Sequence, residues 1–199
     1  MDFKKLLNLV LMLLSQPAKA WRHISQSAGK APMFNEFLYP LIMLCCLSTL
    51  LGTLFTHDLG TESFYFAVVK MGVQFATLFL AYHLLAFLVA KISTAYMKAE
   101  FDRLHTDRLT AYSMVVVLLL EILLALFPNF RIIGWILQFY TIKIVWDGAA
   151  VLMRVPEERR FTYTIAVSAL VLVVPFIMGV FMSGLSCNLG KPQFLWKRK

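Results

Sequence analysis

The chain has 199 residues, of which 60% are apolar and only 15% are charged, whereas soluble domains average about 45–50% apolar and about 25% charged residues. This composition excludes a water-soluble globular protein. The net charge of +8 does not indicate a nucleic acid partner, because basic residues of membrane proteins flank the spans on the cytoplasmic side and contact anionic headgroups. We therefore expect a helical membrane protein that has the lipid bilayer as its partner.

The first 35 residues predict a segment that lies on the membrane rather than across it. Apolar side chains recur at helical spacing at Phe3, Leu6, Leu7, Val10, Leu13 and Leu14. Because this run is too short to span a bilayer, we expect an interfacial amphipathic helix. A second short helix is predicted from Pro17 onward, with Trp21 and Ile24 on one side and Lys19 and Arg22 on the other.

The same segment has an alternative interpretation as a secretory signal peptide. Lys4 and Lys5 precede the apolar run, and Ala18-Lys19-Ala20 resembles a cleavage site. We favour a retained helix because Asn8 interrupts the apolar run.

Five apolar segments that are long enough to cross a bilayer follow, at 37–55, 66–90, 109–127, 132–153 and 161–184. Backbone groups in lipid must be satisfied within their own segment, so all five are expected to be helices. Pro128 lies in the short connection between the third and fourth spans, which are predicted to be antiparallel neighbours, and Pro175 is expected to kink the fifth. The predicted fold is an all-α polytopic membrane protein with five transmembrane helices and an N-terminal interfacial amphipathic helix. Its parts are a cytoplasmic segment at 1–35, a transmembrane domain at 36–185 and a basic C-terminal tail at 186–199.

The distribution of Lys and Arg predicts a cytoplasmic N-terminus in a cell membrane. The N-terminal segment, the second loop and the fourth loop hold twelve basic residues, whereas the two opposite loops hold only Arg131. An odd number of spans nevertheless places the basic tail, with Lys191 and Lys197, on the outside. Either the early loops override the tail or the fifth segment is re-entrant, and we favour a true fifth span.

The ionisable residues His83, Glu121, Lys143 and Asp147 lie deep inside the predicted spans. Such residues are costly in lipid and are functional candidates by default. Lys143 and Asp147 are four positions apart and share a helix face, and Glu121 is expected near the depth of Lys143. One interpretation is a proton or ion site formed by the three, with His83 within reach. The other, which we favour, is a structural ion pair that fixes helix rotation and register. Gln74 and Gln138 are predicted to be interhelical hydrogen-bond partners.

The sequence gives no sign of an enzyme. It contains none of the GxSxG, HExxH, P-loop or GxGxxG motifs. Its three cysteines, with Cys45 and Cys46 adjacent, predict neither a disulfide framework nor a metal site. We therefore expect no cofactor and no metal.

A group of residues in the second half of the chain carries a family resemblance. They are Ala111, Tyr112, Ser113, Pro128, Tyr140, Thr141, Gly148 and the run Val155-Pro156-Glu157-Glu158-Arg159. With them, the chain resembles the Yip family, five-span membrane proteins whose eukaryotic members interact with Rab-type GTPases in vesicle trafficking. Pro17 and Trp21 are similar to those of bacterial members. The D-L-x-G-P motif of eukaryotic members is absent, since Asp58-Leu59-Gly60 lacks the proline, so the resemblance is closer to the bacterial branch and implies a bacterial inner membrane.

The resulting functional hypothesis is a non-enzymatic integral membrane scaffold that organises partner proteins or bilayer shape. Its cytoplasmic interaction loop would comprise Pro156, Glu157, Glu158 and Arg159, and a homo-oligomer is compatible with it. The alternative is a small transporter or channel in which Glu121, Lys143 and Asp147 line a path. Neutralising Lys143 together with Asp147 should abolish transport but only loosen a scaffold.

Overall fold

The computed structural model of the protein describes residues 3–26, 33–56, 61–97 and 102–189, and every regular element in these ranges is helical. The tail beyond residue 189 and the Asp58-Leu59-Gly60 segment lie outside the described residues. The chain therefore has the predicted all-α class over its described part.

Two short helices, α1 (Phe3–Ser15) and α2 (Pro17–Gln26), come first. Pro17 opens α2 at a position where its missing N–H costs no intrahelical bond. Trp21 and Ile24 are buried while Lys19 and Arg22 are exposed, as predicted for the two sides of α2. The outcome for α1 is different, because only part of its apolar set faces the protein. Leu6, Val10 and Leu13 are buried, but Phe3, Leu7 and Leu11 are exposed.

Four helical stretches are long and apolar enough to cross a membrane: Met33–Thr56, Ser63–Tyr96, Arg103–Leu126 and Glu157–Gly184. The first combines a π-helical turn (Met33–Leu38) with α3 (Tyr39–Thr56), and the second belongs to α4 (Thr61–Met97). The third joins α5 (Arg103–Ser113) to α6 (Val115–Leu126) through Met114, which has helical backbone angles. The last belongs to α9 (Glu157–Leu189), which continues through Pro175.

The predicted fourth span, 132–153, is not a single helix. A 3₁₀ turn at Pro128–Phe130 leads into α7 (Arg131–Gln138), and α8 (Tyr140–Val151) follows after Phe139. The Phe139 N–H bonds to the carbonyl oxygens of Ile136 and Leu137, so the backbone tightens there and the regular helix is interrupted.

The long helix α4 is central in the bundle, where it packs against α3, α5 and α9. Helices α3 and α6 cross closely, since a Cβ added to Gly52 would lie 1.8 Å from the carbonyl oxygen of Ala125. Helix α8 packs against α2 and α9. On the outside of α9, large apolar side chains including Phe176, Val180 and Phe181 are exposed, which is the pattern of a surface that faces lipid.

Candidate functional site: the docked N-terminal helices and the intramembrane polar groups

Trp21 of α2 packs into the bundle and forms a hydrogen bond with it. Its indole is fully buried, and Nε1 donates a hydrogen bond of 2.9 Å to the main-chain oxygen of Ile144 in α8. The ring of Tyr112 meets the indole edge-on, with centroids 6.1 Å apart. A buried indole needs both an apolar surrounding and a partner for its N–H, and this position supplies both.

Gly148 makes room for this contact. A Cβ at this position would lie 2.8 Å from Cε2 of Trp21 and 2.6 Å from Cδ1 of Leu109. Both distances are well below ordinary van der Waals contact, so any larger residue would force the indole or the leucine away from α8. The absence of a side chain at Gly148 thus permits Trp21 to reach the Ile144 carbonyl.

Two further side chains hold the C-terminal ends of the N-terminal helices. The hydroxyl of Tyr140 donates to the Leu14 carbonyl of α1 at 2.6 Å, and Nη1 of Arg108 donates to the Ile24 carbonyl of α2 at 3.4 Å. The last carbonyls of a helix have no intrahelical donor and carry partial negative charge. The bundle therefore supplies a donor to the end of each of these two helices, and the donor for α2 is cationic.

The motif positions of the family resemblance are concentrated on α5 and α8. Tyr112, Tyr140 and Gly148 take part in the contacts with α1 and α2 described above. Ser113 and Thr141, the neighbours of the two tyrosines, are fully buried, and their hydroxyls have no hydrogen-bond partner among the described residues. Within the described residues, the fold therefore buries these two hydroxyls without giving them a hydrogen bond.

The structure separates Glu121 from the two charged residues of α8. Glu121 is half-buried on α6 and accepts a hydrogen bond of 3.1 Å from Nε2 of Gln74 in α4. Lys143 and Asp147 pair with each other along α8 at 3.0 Å, with 55% of the Lys143 side chain and 13% of the Asp147 side chain exposed. Glu121 therefore makes its hydrogen bond to α4 and Lys143 its ion pair within α8, and no ion pair joins Glu121 to Lys143 within the described residues.

His83 lies on an exposed side of α4. Its Nδ1 is 2.8 Å from the Phe79 carbonyl of its own helix, and its ring packs on that of Phe79. His83 is nine positions from Gln74, which corresponds to about 13 Å along the helix. It is therefore distant from the Glu121–Gln74 pair.

The segment Pro156–Arg159 forms the start of α9. The carbonyl of Pro156 accepts the first helical hydrogen bonds, and Glu157 and Glu158 occupy the first turn, where acidic residues favour the helix dipole. Nη1 of Arg159 donates to the Tyr96 carbonyl near the end of α4 at 3.3 Å. All four side chains are exposed, so this segment is a charged, accessible corner of the bundle.

Sequence reasoning identified some of these residues and missed others. Gln74 is an interhelical hydrogen-bond partner as predicted, but Glu121 was not recognised as its acceptor. Asp107 and Arg108 are buried, and this burial was not predicted from the sequence. Two adjacent charges directly before an apolar segment were the signal that could have identified them.

Together, the helices and these contacts define a polytopic α-helical membrane protein with a pair of N-terminal helices docked on its bundle. The family model of the Yip1 domain matches residues 11–178, so the chain belongs to the Yip1 domain family, whose members are known as non-enzymatic membrane proteins. The match extends from α1 into α9 and includes the whole of α2. Neither the curated proteins nor the solved structures include a match to this chain.

Proposed function

We propose that the protein is a non-enzymatic membrane scaffold that holds α1 in the interface of the cytoplasmic leaflet and thereby organises bilayer shape and partner proteins. The observation that carries this proposal is that α1 has apolar side chains on two sides, one buried against the bundle and one exposed. Leu6, Val10 and Leu13 pack inward, whereas Phe3, Leu7 and Leu11 are 59%, 58% and 52% exposed.

The exposed side chains of α1 suit the boundary between headgroups and acyl chains. Phe3, Leu7 and Leu11 are spaced four apart and therefore form one line along the helix, about 12 Å long. Fully burying a large apolar side chain contributes about 1.5–3 kcal/mol, so half-exposed side chains gain roughly 1 kcal/mol each in lipid. Lys4 and Lys5 are exposed beside this line, where ammonium groups meet anionic headgroups.

The orientation follows from the distribution of basic residues and from a five-span topology. The stretch from Arg131 to Val151 comprises α7 with 8 residues, Phe139 and α8 with 12 residues, a length of about 31 Å if it is helical throughout, against a hydrocarbon thickness of about 30 Å. We assign it as a bent fourth span between α6 and α9. With this topology, the distribution of basic residues supports a cytoplasmic location for α1, α2 and the start of α9, and the proposed membrane is the inner membrane of a bacterium.

Partner proteins would contact the same face. Glu157, Glu158 and Arg159 are exposed there with both signs of charge, and charged rim groups of this kind govern partner choice and association rate. Further copies of the chain are among the candidate partners.

The test compares two single substitutions on neighbouring positions of α1. In reconstituted vesicles, the unaltered protein should narrow the vesicle diameter, as measured by electron cryomicroscopy. Leu7→Glu should reduce the fraction of narrow vesicles at least about twofold, because it places a charge in the line that enters the lipid. Asn8→Glu adds the same charge at an exposed polar position and should leave the diameters unchanged. Equal behaviour of the two variants would count against the proposal.

The alternative function, a small transporter or channel, requires Glu121, Lys143 and Asp147 to line one path. The support for it is weaker, because Glu121 has its partner on α4 and Lys143 has its partner on its own helix.

A further inference from the structure

A polar cavity of about 360 Å³ lies between α3, α4 and α6, near the Pro128 turn. The half-buried residues Glu121 and Gln74 line it, and threonine side chains of α3, including Thr49 and Thr53, form one wall. The exposed residues Lys70 and Arg131 also line it. The cavity therefore combines an acidic interior with a basic entrance.

The interior is rich in hydrogen-bond acceptors. A carboxylate offers about four acceptor sites, and Glu121 uses one of them for Gln74. Thr53 donates its hydroxyl to the Thr49 carbonyl at 2.7 Å, which leaves lone pairs on the hydroxyl oxygen. A ligand with several N–H donors and a positive charge, such as a primary ammonium, fits this set.

The C-terminal end of α6 also favours a positively charged group on the ligand. Pro128 has no N–H, so it cannot donate to the Leu124 carbonyl four positions earlier, and Leu124 lines the cavity. The C-terminal end of a helix also carries partial negative charge. Both effects favour a cation beside Glu121.

The entrance of the cavity, in contrast, favours a negatively charged group on the ligand. Lys70 and Arg131 make no hydrogen bond or ion pair with any residue in the described part of the chain. An ammonium and a guanidinium group at one entrance are the groups that proteins use to hold a phosphate.

The spacing of Lys70 and Lys91 along α4 supports an entrance near the membrane surface. Lys70 and Lys91 are 21 positions apart on one helix, about 32 Å, which matches the hydrocarbon thickness of about 30 Å. Gln74 lies about one turn, roughly 6 Å, further inside than Lys70. The cavity thus opens into a headgroup layer and extends a short way below it.

We propose that this cavity binds a phosphoethanolamine group, with its primary ammonium at Glu121 and its phosphate between Lys70 and Arg131. The group can belong to a lipid headgroup or to the free zwitterion. This site is independent of α1 and of the membrane-shaping role, so either proposal can fail without the other.

The first experiment measures which lipids the protein retains from nanodiscs that contain equal amounts of phosphatidylethanolamine, phosphatidylcholine and phosphatidylglycerol. Phosphatidylethanolamine should be retained about tenfold over the other two, because charge-assisted hydrogen bonds discriminate strongly. Choline has no N–H to donate to Glu121, and glycerol carries no positive charge. No enrichment over phosphatidylcholine would overturn the proposal.

Variants separate the two halves of the site. Glu121→Gln keeps the size of the side chain and should abolish the preference for ethanolamine. Lys70→Gln combined with Arg131→Gln should lower retention of all three lipids, because each contains a phosphate. Lys91→Gln, on the same helix at the opposite membrane surface, is the matched control and should change neither. Enrichment that persists in folded Glu121→Gln protein would overturn the proposal. If the Glu121→Gln protein does not fold, the proposal is overturned when the variant with Lys70→Gln and Arg131→Gln retains the three lipids as well as the unaltered protein does.

The second experiment identifies the source of the group. Free phosphoethanolamine is added to lipid-depleted protein in detergent, and the thermal midpoint is measured. If free phosphoethanolamine raises the thermal midpoint and Glu121→Gln abolishes this rise, the site binds the free zwitterion. If the midpoint does not rise but phosphatidylethanolamine is still retained selectively, the site binds the lipid headgroup. Absence of both effects rejects the site.

Discussion

Trp21 joins two parts of the chain that are 123 positions apart through one indole N–H. The N–H has no access to water in this position, because the side chain is fully buried. Its acceptor, the Ile144 carbonyl, lies one turn before Gly148, where the helix surface carries no side chain. The hydrogen bond therefore depends on both residues, because Trp21 supplies the donor and Gly148 leaves the space in which the indole lies.

Replacing Trp21 with Phe should loosen α1 and α2 without unfolding the bundle. The substitution removes the donor to Ile144 and leaves a small cavity, at a cost of about 1 kcal/mol or more. Amide hydrogen exchange of residues 3–26 should then accelerate at least about fivefold. The control is Trp135→Phe, since Trp135 is 61% exposed on α7. Similar exchange in both variants would show that the indole does not hold the helices.

The sequence identified several residues that hold the N-terminal helices, but it could not predict which atoms these residues contact. Tyr112, Tyr140 and Gly148 were identified through the family resemblance. Their roles depend on the main-chain oxygens of Leu14 and Ile144 or on the space beside them. Every residue has a carbonyl oxygen, so no pattern of side chains reveals which one is used. The Glu121 partner was missed for a related reason, because helix rotation decides it.

The crossing of α3 and α6 depends on Gly52. The two helices run in the same direction, since Cys45 donates to the Leu118 carbonyl and Gly52 touches Ala125 seven positions further along each helix. Close approach of backbones at a small residue is a common way for membrane helices to associate. This crossing also sets the wall of the polar cavity, because Gly52 and Ala125 both line it.

Gly52→Ala should destabilise the protein, whereas Gly72→Ala should not. The added methyl group at position 52 meets the Ala125 backbone, which cannot move without shifting α6, and overpacking of this kind costs about 1–3 kcal/mol. A Cβ at Gly72 meets nothing within 4 Å, so alanine there should stabilise the helix by up to about 1 kcal/mol. Thermal unfolding of both variants in the same detergent measures the difference. A Gly52 variant as stable as the Gly72 variant would contradict the close crossing.

At the scale of elements, hydropathy predicted where helices lie better than where they break. The four stretches Met33–Thr56, Ser63–Tyr96, Arg103–Leu126 and Glu157–Gly184 overlap four of the predicted spans. The interruption at Phe139 was not predicted, because neither proline nor glycine marks it. Helix α9 continues through Pro175, since neighbouring helices allow a membrane helix to tolerate the loss of one N–H, and the kink expected there stays a prediction.

At the scale of the whole molecule, the orientation can be tested at Cys187, which lies in the last turns of α9. With the N-terminus inside and five spans, Cys187 is expected outside. An impermeant maleimide should therefore label intact cells, and Cys187→Ser should abolish most of that labelling because Cys45 and Cys46 are buried. Labelling that appears only after permeabilisation would reverse the assignment or make the last segment re-entrant.

The 123 positions between Trp21 and Ile144 also impose an order on biosynthesis. At about 5–20 residues per second, a ribosome needs about 6 to 25 seconds to reach Ile144 after it has added Trp21 to the chain. During this interval α8 is absent and the Trp21 indole lacks its acceptor, so the membrane surface is an alternative apolar environment for α1 and α2. Synthesis that pauses before α8 should leave Lys19 and Arg22 open to proteolysis, and its completion should protect them.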